Sequence, residues 1–173
     1  RSIDSEAVRR AGFKVVVDPG GGAGAAINRI FLERLGCRVV GLHETLSGDF
    51  PRPPEPAPEN LADLCERVKT EGADIGFAQD PDGDRLAVVS ENGVAVGEEY
   101  TLVLAGEAYL RRRPTGIACN LSTSRMMDDL AERHGVTVER TRIGELHVTS
   151  RLLEKNMGFG GEGNGGVIVP SIN

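Results

Sequence analysis

Apolar and polar positions along this chain follow two rhythms. Runs of β-branched and apolar residues bounded by turn residues mark strands, whereas apolar residues recurring every three or four positions mark helices. "FKVVVD" (13–18) reads as a buried strand, residues 23–35 as a helix closed by Gly36, and "CRVVGL" (37–42) as a second strand. A helix begins at Glu59 or Asn60 and runs to Thr70, with Leu61, Leu64 and Val68 on one face. "ADIGFAQD" and "RLAVVS" are strands flanking an acidic turn. "ENG" followed by "VAV" predicts a hairpin, the Asn92-Gly93 pair suiting a type I′ turn. A second series follows: a helix over 99–112, the strand "TGIACNL", and a helix over 126–134 stopped by Gly135. The strand "VTVERT", a helix over 145–155 and the short strand "MGFGG" complete it. Strands alternating with helices in both halves predict an α/β chain of two consecutive domains, 1–98 and 99–173, with parallel or mixed sheets covered by helices. The halves share a rhythm but no clear sequence repeat.

Between the second strand and the next helix, "SGDFPRPPEPAPEN" (47–60) carries five of the nine prolines, so it reads as an extended, stiff loop. The chain has 173 residues, enough for two small cores, and 39% hydrophobic with 27% charged residues is ordinary for a globular protein. Aromatic residues make up 4% with no Trp, which disfavours base stacking. A formal charge of −6 disfavours a nucleic-acid partner and suits a site for a divalent cation. No run reaches the roughly 18 apolar residues of a membrane span and no signal peptide is visible, so a cytoplasmic protein without a membrane partner is expected. Cys37, Cys65 and Cys119 show no C-x-x-C spacing and read as buried thiols in a reducing compartment. The chain begins at Arg1 rather than Met, which suggests a piece of something longer.

The stretch "VVVDPGGGAGAAINRI" (15–30) poses a question. Gly20, Gly22 and Ala25 satisfy the G-x-G-x-x-G/A dinucleotide fingerprint, and Glu44 stands near the position of a ribose-binding acid. Glycines there also serve a tight strand-to-helix turn with close helix packing, and this reading is preferred.

The most informative segment is "QDPDGDRL", which places Asp80, Asp82 and Asp84 at alternate positions between two apolar strands. Pro81 and Gly83 favour a turn that wraps the three carboxylates around a point. Carboxylates so crowded repel one another and favour a cation between them. Oxygen donors without nearby Cys or His select a hard ion, Mg²⁺ first and Mn²⁺ or Ca²⁺ next. Arg85 adds a positive arm able to hold a phosphate oxygen or lock a carboxylate. An EF-hand loop fails because Arg85 stands where the sharp turn needs Gly, and because strands flank the loop. A haloacid-dehalogenase-type phosphatase, with Asp80 as nucleophile, is the stronger rival. Its D-x-D-G-[TV] motif meets Asp84 in place of Thr, and Asp128-Asp129 is all the chain offers as the later acidic pair.

Taken together, four segments resemble the α-D-phosphohexomutase family, the phosphoglucomutases, phosphomannomutases and phosphoglucosamine mutases. The family's D-x-D-G-D-R metal loop is matched by Asp80 to Arg85, and its G-E-x-[SN]-G sugar loop by Gly161-Glu162-Gly163-Asn164-Gly165. "TRIGE" (141–145) resembles the T-x-x-G segment between them, and "FPRPPEPAPENL" (50–61) the Pro-rich approach to the metal loop. The resemblance covers essentially the whole chain and implies the second and third of four domains. It implies Mg²⁺ on Asp80, Asp82 and Asp84, and a hexose phosphate held through Gly161, Glu162, Gly163, Asn164 and Arg85. It further implies an intramolecular phosphotransferase acting through a phosphoserine and a bisphosphorylated sugar, carbohydrate-metabolism chemistry for which this fragment lacks the serine. Some members carry His where Glu145 stands, so Glu145 is either a proton-handling assistant or a helix-start carboxylate. Ser124 lacks the His and Pro of a phosphoserine loop and reads as a helix N-cap. His43, His134 and His147 form no ligand spacing, and His134 reads as a helix-end turn residue. Arg111-Arg112-Arg113 reads as a solvated helix end.

Overall fold

The computed structural model describes residues 3–46 and 48–172. The chain divides between Gly97 and Glu98 into two compact units, each with a four-stranded mixed sheet. In the first unit the elements are α1 (Ser5–Ala11), β1 (Lys14–Asp18), α2 (Asn28–Arg34), β2 (Arg38–Gly41), α3 (Ala62–Glu71), β3 (Ile75–Gln79) and β4 (Leu86–Ser90). The strand order is β2-β1-β3-β4, with β1 parallel to both β2 and β3 and with β3 antiparallel to β4. Parallel neighbours need a long crossover, supplied by α2 and by the loop leading into α3, whereas the antiparallel pair closes through a short turn. That turn is residues 80–85.

Alternation along the strands fixes which face each side chain covers. Val16, Ala78, Ala87 and Val89 pack with Leu61, Leu64 and Val68 of the α3 segment. Gly76 lets α3 sit close, since a Cβ there would press on Val68 and Val89. Val15 and Val17 are buried on the opposite face, on the side of Phe31, Leu32 and Leu35. Coverage there is incomplete, leaving an open apolar groove of about 540 Å³ walled by Phe13, Phe31, Leu32, Leu35 and Phe77.

The second unit repeats the plan with α4 (Glu98–Leu110), β5 (Ile117–Asn120), α5 (Met126–His134), β6 (Val138–Thr141), α6 (Glu145–Glu154), β7 (Phe159–Gly161) and β8 (Val167–Ile168). Its order, β6-β5-β7-β8, is that of the first sheet, again with only the last pair antiparallel. Ile117 and Cys119 join Leu102, Leu110, Met127, Leu130 and Phe159 under α4 and α5. Ala118, between them, faces Val148 and Leu152 of α6. The expected α/β class with mixed sheets is thus what both halves adopt. Among the described residues no helix is long and apolar enough to cross a membrane.

Several local expectations are corrected. The helix read over 23–35 is a 3₁₀ turn at Ala23–Ala26 followed by the shorter α2: Ala25 N bonds Gly22 O and Ile27 N bonds Gly24 O, three residues back rather than four, while the Ala23 amide bonds the Pro81 carbonyl at 2.7 Å. The Asn92-Gly93 turn is not type I′, which needs positive φ at both central residues. Gly93 N bonds Ser90 O at 2.8 Å and has φ +65°, while Asn92 is not among the residues with positive φ. The turn is therefore of type I with a left-handed glycine after it, and "VAV" touches β4 only through a bridge between Val89 and Ala95. α1 and β8 had no expectation. α1 buries no residue and is defined by its ends, where Asp4 accepts from Ala7 N at 3.0 Å and Gly12 closes the helix at φ +60°.

Candidate functional site

Each unit carries its chemistry-bearing turn at the same place, between its third and fourth strands. In the first unit that turn begins at Asp80, which is 6% exposed because it caps the buried end of β3. Its Oδ1 accepts from Arg85 N at 3.1 Å and its carbonyl from Gly83 N at 3.2 Å, with Gly83 at φ +83°. These bonds fold the segment back on itself. One carboxylate oxygen from each of Asp80, Asp82 and Asp84 then lies within 4.8 Å of the others, with Asp82 and Asp84 open to solvent. The three carboxylates offer oxygen donors without nitrogen or sulfur, a set that fits a hard divalent cation such as Mg²⁺. Arg85 stands beside them, its Nε 3.6 Å from Asp80 and 3.9 Å from Asp84 and its Nη1 3.7 Å from Glu55 of the Pro-rich loop.

The glycine turn after β1 packs directly on this loop. A Cβ at Gly22 would run into the Pro81 backbone, and one at Gly24 into the side chains of Gln79 and Asn28. Gln79 bonds Asn28 through its Oε1 at 2.5 Å and reaches toward the Gly83 carbonyl with its Nε2. Glu44 forms an ion pair with Arg29 at 2.7 Å. Both features that suggested a dinucleotide are therefore occupied by packing inside the unit.

The turn of the second unit, after Gly161, is pinned by neighbours from three segments. Glu162 Oε1 accepts from Asn120 Nδ2 at 2.6 Å and from Gly144 N at 2.7 Å, which holds the carboxylate in one orientation and leaves Oε2 outside these bonds. Glu162 N bonds Gly166 O at 3.0 Å, Asn164 Oδ1 accepts from Gly166 N at 3.1 Å, and Thr123 Oγ1 accepts from Gly163 N at 3.1 Å. Gly163 leaves room for the carboxylate of Glu99, which a Cβ there would displace. Glu99 in turn accepts from Ser124 N. The sugar-loop candidates Gly161, Glu162, Gly163 and Asn164 are thus brought together with the "TRIGE" segment through Gly144.

Asn120 and Thr123 escaped the sequence reading. Asn120 Oδ1 accepts from the backbone and hydroxyl of both Ser122 and Thr123, at 2.8 to 3.0 Å. The signal was present in "NLSTS", a polar cluster directly after a buried strand, where Asn and hydroxyl residues build turns. Arg140 of β6 pins the same loop by donating to the carbonyls of Asn120, Thr123 and Ser124, and it pairs with Asp128. Asp128 is therefore committed to an arginine, which removes it as the second acid of a dehalogenase-type site. Ser124 is not the N-cap expected of it: Arg125 holds that position before α5, and the Ser124 hydroxyl, one residue earlier, accepts from Met126 N at 3.0 Å. Glu145, at the start of α6, is exposed, as are Arg142 and His147. His134 does more than end a helix. Its Nε2 meets Glu107 Oε2 at 2.9 Å, and that contact, with Arg111, holds the Glu107 carboxyl below its usual range. Cys37 and Cys119 are buried, and burial raises both thiols, Cys119 to about 11; Cys65 is only half-buried.

Comparison with known proteins places these loops in context. Residues 1–93 match the family model described as phosphoglucomutase/phosphomannomutase, alpha/beta/alpha domain II, and residues 97–173 match that of domain III. A phosphoglucomutase/phosphomannomutase from Thermococcus kodakarensis is 44% identical over 98% of this chain, which covers 38% of that protein. A probable phosphoglucosamine mutase from Methanopyrus kandleri is 37% identical over 100% of the chain and 39% of its own length. The crystal structure of a phosphoglucomutase/phosphomannomutase family protein from Burkholderia thailandensis superposes with a TM-score of 0.84 at 31% identity, over 95% of this chain and 38% of that one. The chain spans about two-fifths of the length of the relatives it matches.

Proposed function

Because this chain belongs to the phosphoglucomutase/phosphomannomutase family, matching its second and third α/β/α domains, we propose that its parent protein is a Mg²⁺-dependent phosphohexomutase. That enzyme would interconvert hexose 1-phosphate and 6-phosphate through a phosphoserine and a bisphosphorylated sugar. The observation carrying the reading is the convergence of Asp80, Asp82 and Asp84 within 4.8 Å on a turn that matches the family's metal loop residue for residue.

Phosphoryl transfer asks little covalent work of a protein; the cost is charge accumulating on the transferring group. A cation held by Asp80, Asp82 and Asp84 would supply the positive charge that offsets it. Arg85, beside the same carboxylates, would orient a phosphate oxygen. Glu162 would accept a hydrogen bond from a sugar hydroxyl through its outer oxygen, its inner one being fixed by Asn120 and Gly144. Asn164 would serve the same ring, and the glycines around it let the backbone approach closely. Glu145 would act as a helix-start carboxylate, with proton handling as the role to test by Glu145→Gln.

The test uses the parent enzyme in a coupled assay for conversion of glucose 1-phosphate to glucose 6-phosphate. Asp82→Asn is expected to lower turnover by about 100-fold, the scale of losing one charge-stabilising group. Unchanged turnover overturns the reading. The 173-residue chain alone is expected to bind Mg²⁺ and to show no mutase turnover, because it matches neither the phosphoserine domain nor the last domain; measurable turnover refutes that.

A further inference from the structure

We infer that Arg52, from the Pro-rich loop, is a positioning residue that sets the metal-binding turn by holding the end of β3. β1 stops at Asp18 opposite Ala78, so the carbonyl of Gln79 lies one residue beyond the parallel ladder. That carbonyl has no partner left in the β1 ladder and takes its donor from elsewhere. Arg52 Nη2 supplies it at 2.5 Å. The Gln79 carbonyl and the Asp80 amide share one rigid peptide plane, so fixing that oxygen fixes the direction in which Asp80 leaves the strand.

The guanidinium is itself held from every side. Its Nε donates to Asp18 Oδ2 at 2.8 Å, its Nη2 reaches the Asp18 carbonyl, and its Nη1 donates to the carbonyls of Pro53 and Pro54. The Arg52 side chain is 7% exposed and that of Asp18 1%. Asp18 also accepts from Gly20 N at 2.8 Å and meets His43 Nδ1 at 3.2 Å. Gly20 is where the chain leaves room, since a Cβ would press on the guanidinium. One planar fork thus ties the ends of β1 and β3 to the proline loop. An ammonium group has neither the number of donors nor the fork geometry to do the same. Partners that orient a ligand from behind commonly govern metal affinity as strongly as some ligands do.

This inference rests on the reading of Asp80, Asp82 and Asp84 as a cation site, and the experiment separates the two. Mn²⁺ binding to the full 173-residue chain is measured by electron paramagnetic resonance, with hydrogen exchange followed at the Gly83 and Arg85 amides, which bond to Asp80. Arg52→Met is expected to raise the Mn²⁺ dissociation constant about 10–100-fold and to speed exchange at both amides, and Arg52→Lys is expected not to restore either. Lys14→Met, which breaks the Lys14–Glu71 ion pair at the opposite end of β1, is expected to lower stability while leaving affinity and exchange at the turn unchanged. Asp82→Asn that binds Mn²⁺ like the unaltered chain refutes the cation site itself. Weak binding by Asp82→Asn with unaltered binding by a folded Arg52→Met overturns the role of Arg52 alone. Should Arg52→Met not fold, Asp18→Asn keeps the shape, removes the charge that orients the guanidinium, and is judged by the same two outcomes.

Discussion

Replacing Gly22 by Ala puts a methyl group where the backbone of Pro81 already lies. The backbone at Gly22 has φ −90° and ψ −166°, a conformation open to any residue, so the whole cost is steric. Neither side can yield cheaply, since both are main chain. Overpacking of this kind costs about 1–3 kcal/mol. Pushing Pro81 away also stretches the 2.7 Å bond from Ala23 N to Pro81 O, worth about 1 kcal/mol. The sum is about 2–4 kcal/mol, and at a urea slope of about 1.5 kcal/mol per M the transition of the first unit falls by about 2 M. Unfolding is followed by circular dichroism, with the second unit's transition as the internal reference. Gly12→Ala is the contrast. There φ is +60° and nothing stands within 4 Å, so only backbone strain of about 1–2 kcal/mol is expected. A Gly22→Ala midpoint within about 0.3 M of the unaltered chain would refute the packing of the glycine turn against the acidic turn.

Asn120→Ala removes the acceptor shared by Ser122 and Thr123 and frees Glu162; a loss of about 2–4 kcal/mol is expected from urea unfolding of the second unit, and a loss below about 1 kcal/mol counts against the network. Burial raises the Cys119 thiol to about 11, so only about 0.1% is thiolate at pH 8. Iodoacetamide should therefore label half-buried Cys65 first in the folded chain, and equal labelling rates would contradict that burial. The Glu107 carboxyl is held low mainly by its bond with His134, then by Arg111. A lowered carboxyl stabilises the fold above its unfolded value of about 4.3, and that stabilisation is lost as pH falls through the lower folded value. Melting temperatures between pH 6 and 3 should fall less steeply for Glu107→Gln than for the unaltered chain; parallel curves would contradict the shift.

The strands and longer helices were legible because their apolar periodicity is set by the faces they bury. "FKVVVD" and "ADIGFAQD" became β1 and β3, and residues 126–134 became α5 with the same bounds. The acidic turn was legible because its three carboxylates are local in sequence. Arg52 was not, because its role depends on the ends of β1 and β3 being neighbours, which lie far apart along the chain. Asn120 stayed hidden for the same reason, since its partner Glu162 is 42 residues away. The break between Ala26 and Asn28 was invisible because a 3₁₀ turn running into an α-helix leaves nearly the same apolar spacing as one continuous helix. α1 had no apolar stripe to read and is held by its caps, and β8 is two residues long.

The shared strand order of the two units has a consequence for where each can carry chemistry. The link between the antiparallel strands is the one sheet connection that no crossover helix has to pass through, so its residues are the least constrained by the frame. One unit fills that link with acids and the other with glycines around a single anchored glutamate. The same scaffold thus presents two different chemistries from one topological position, with the strands serving each as a rigid mount.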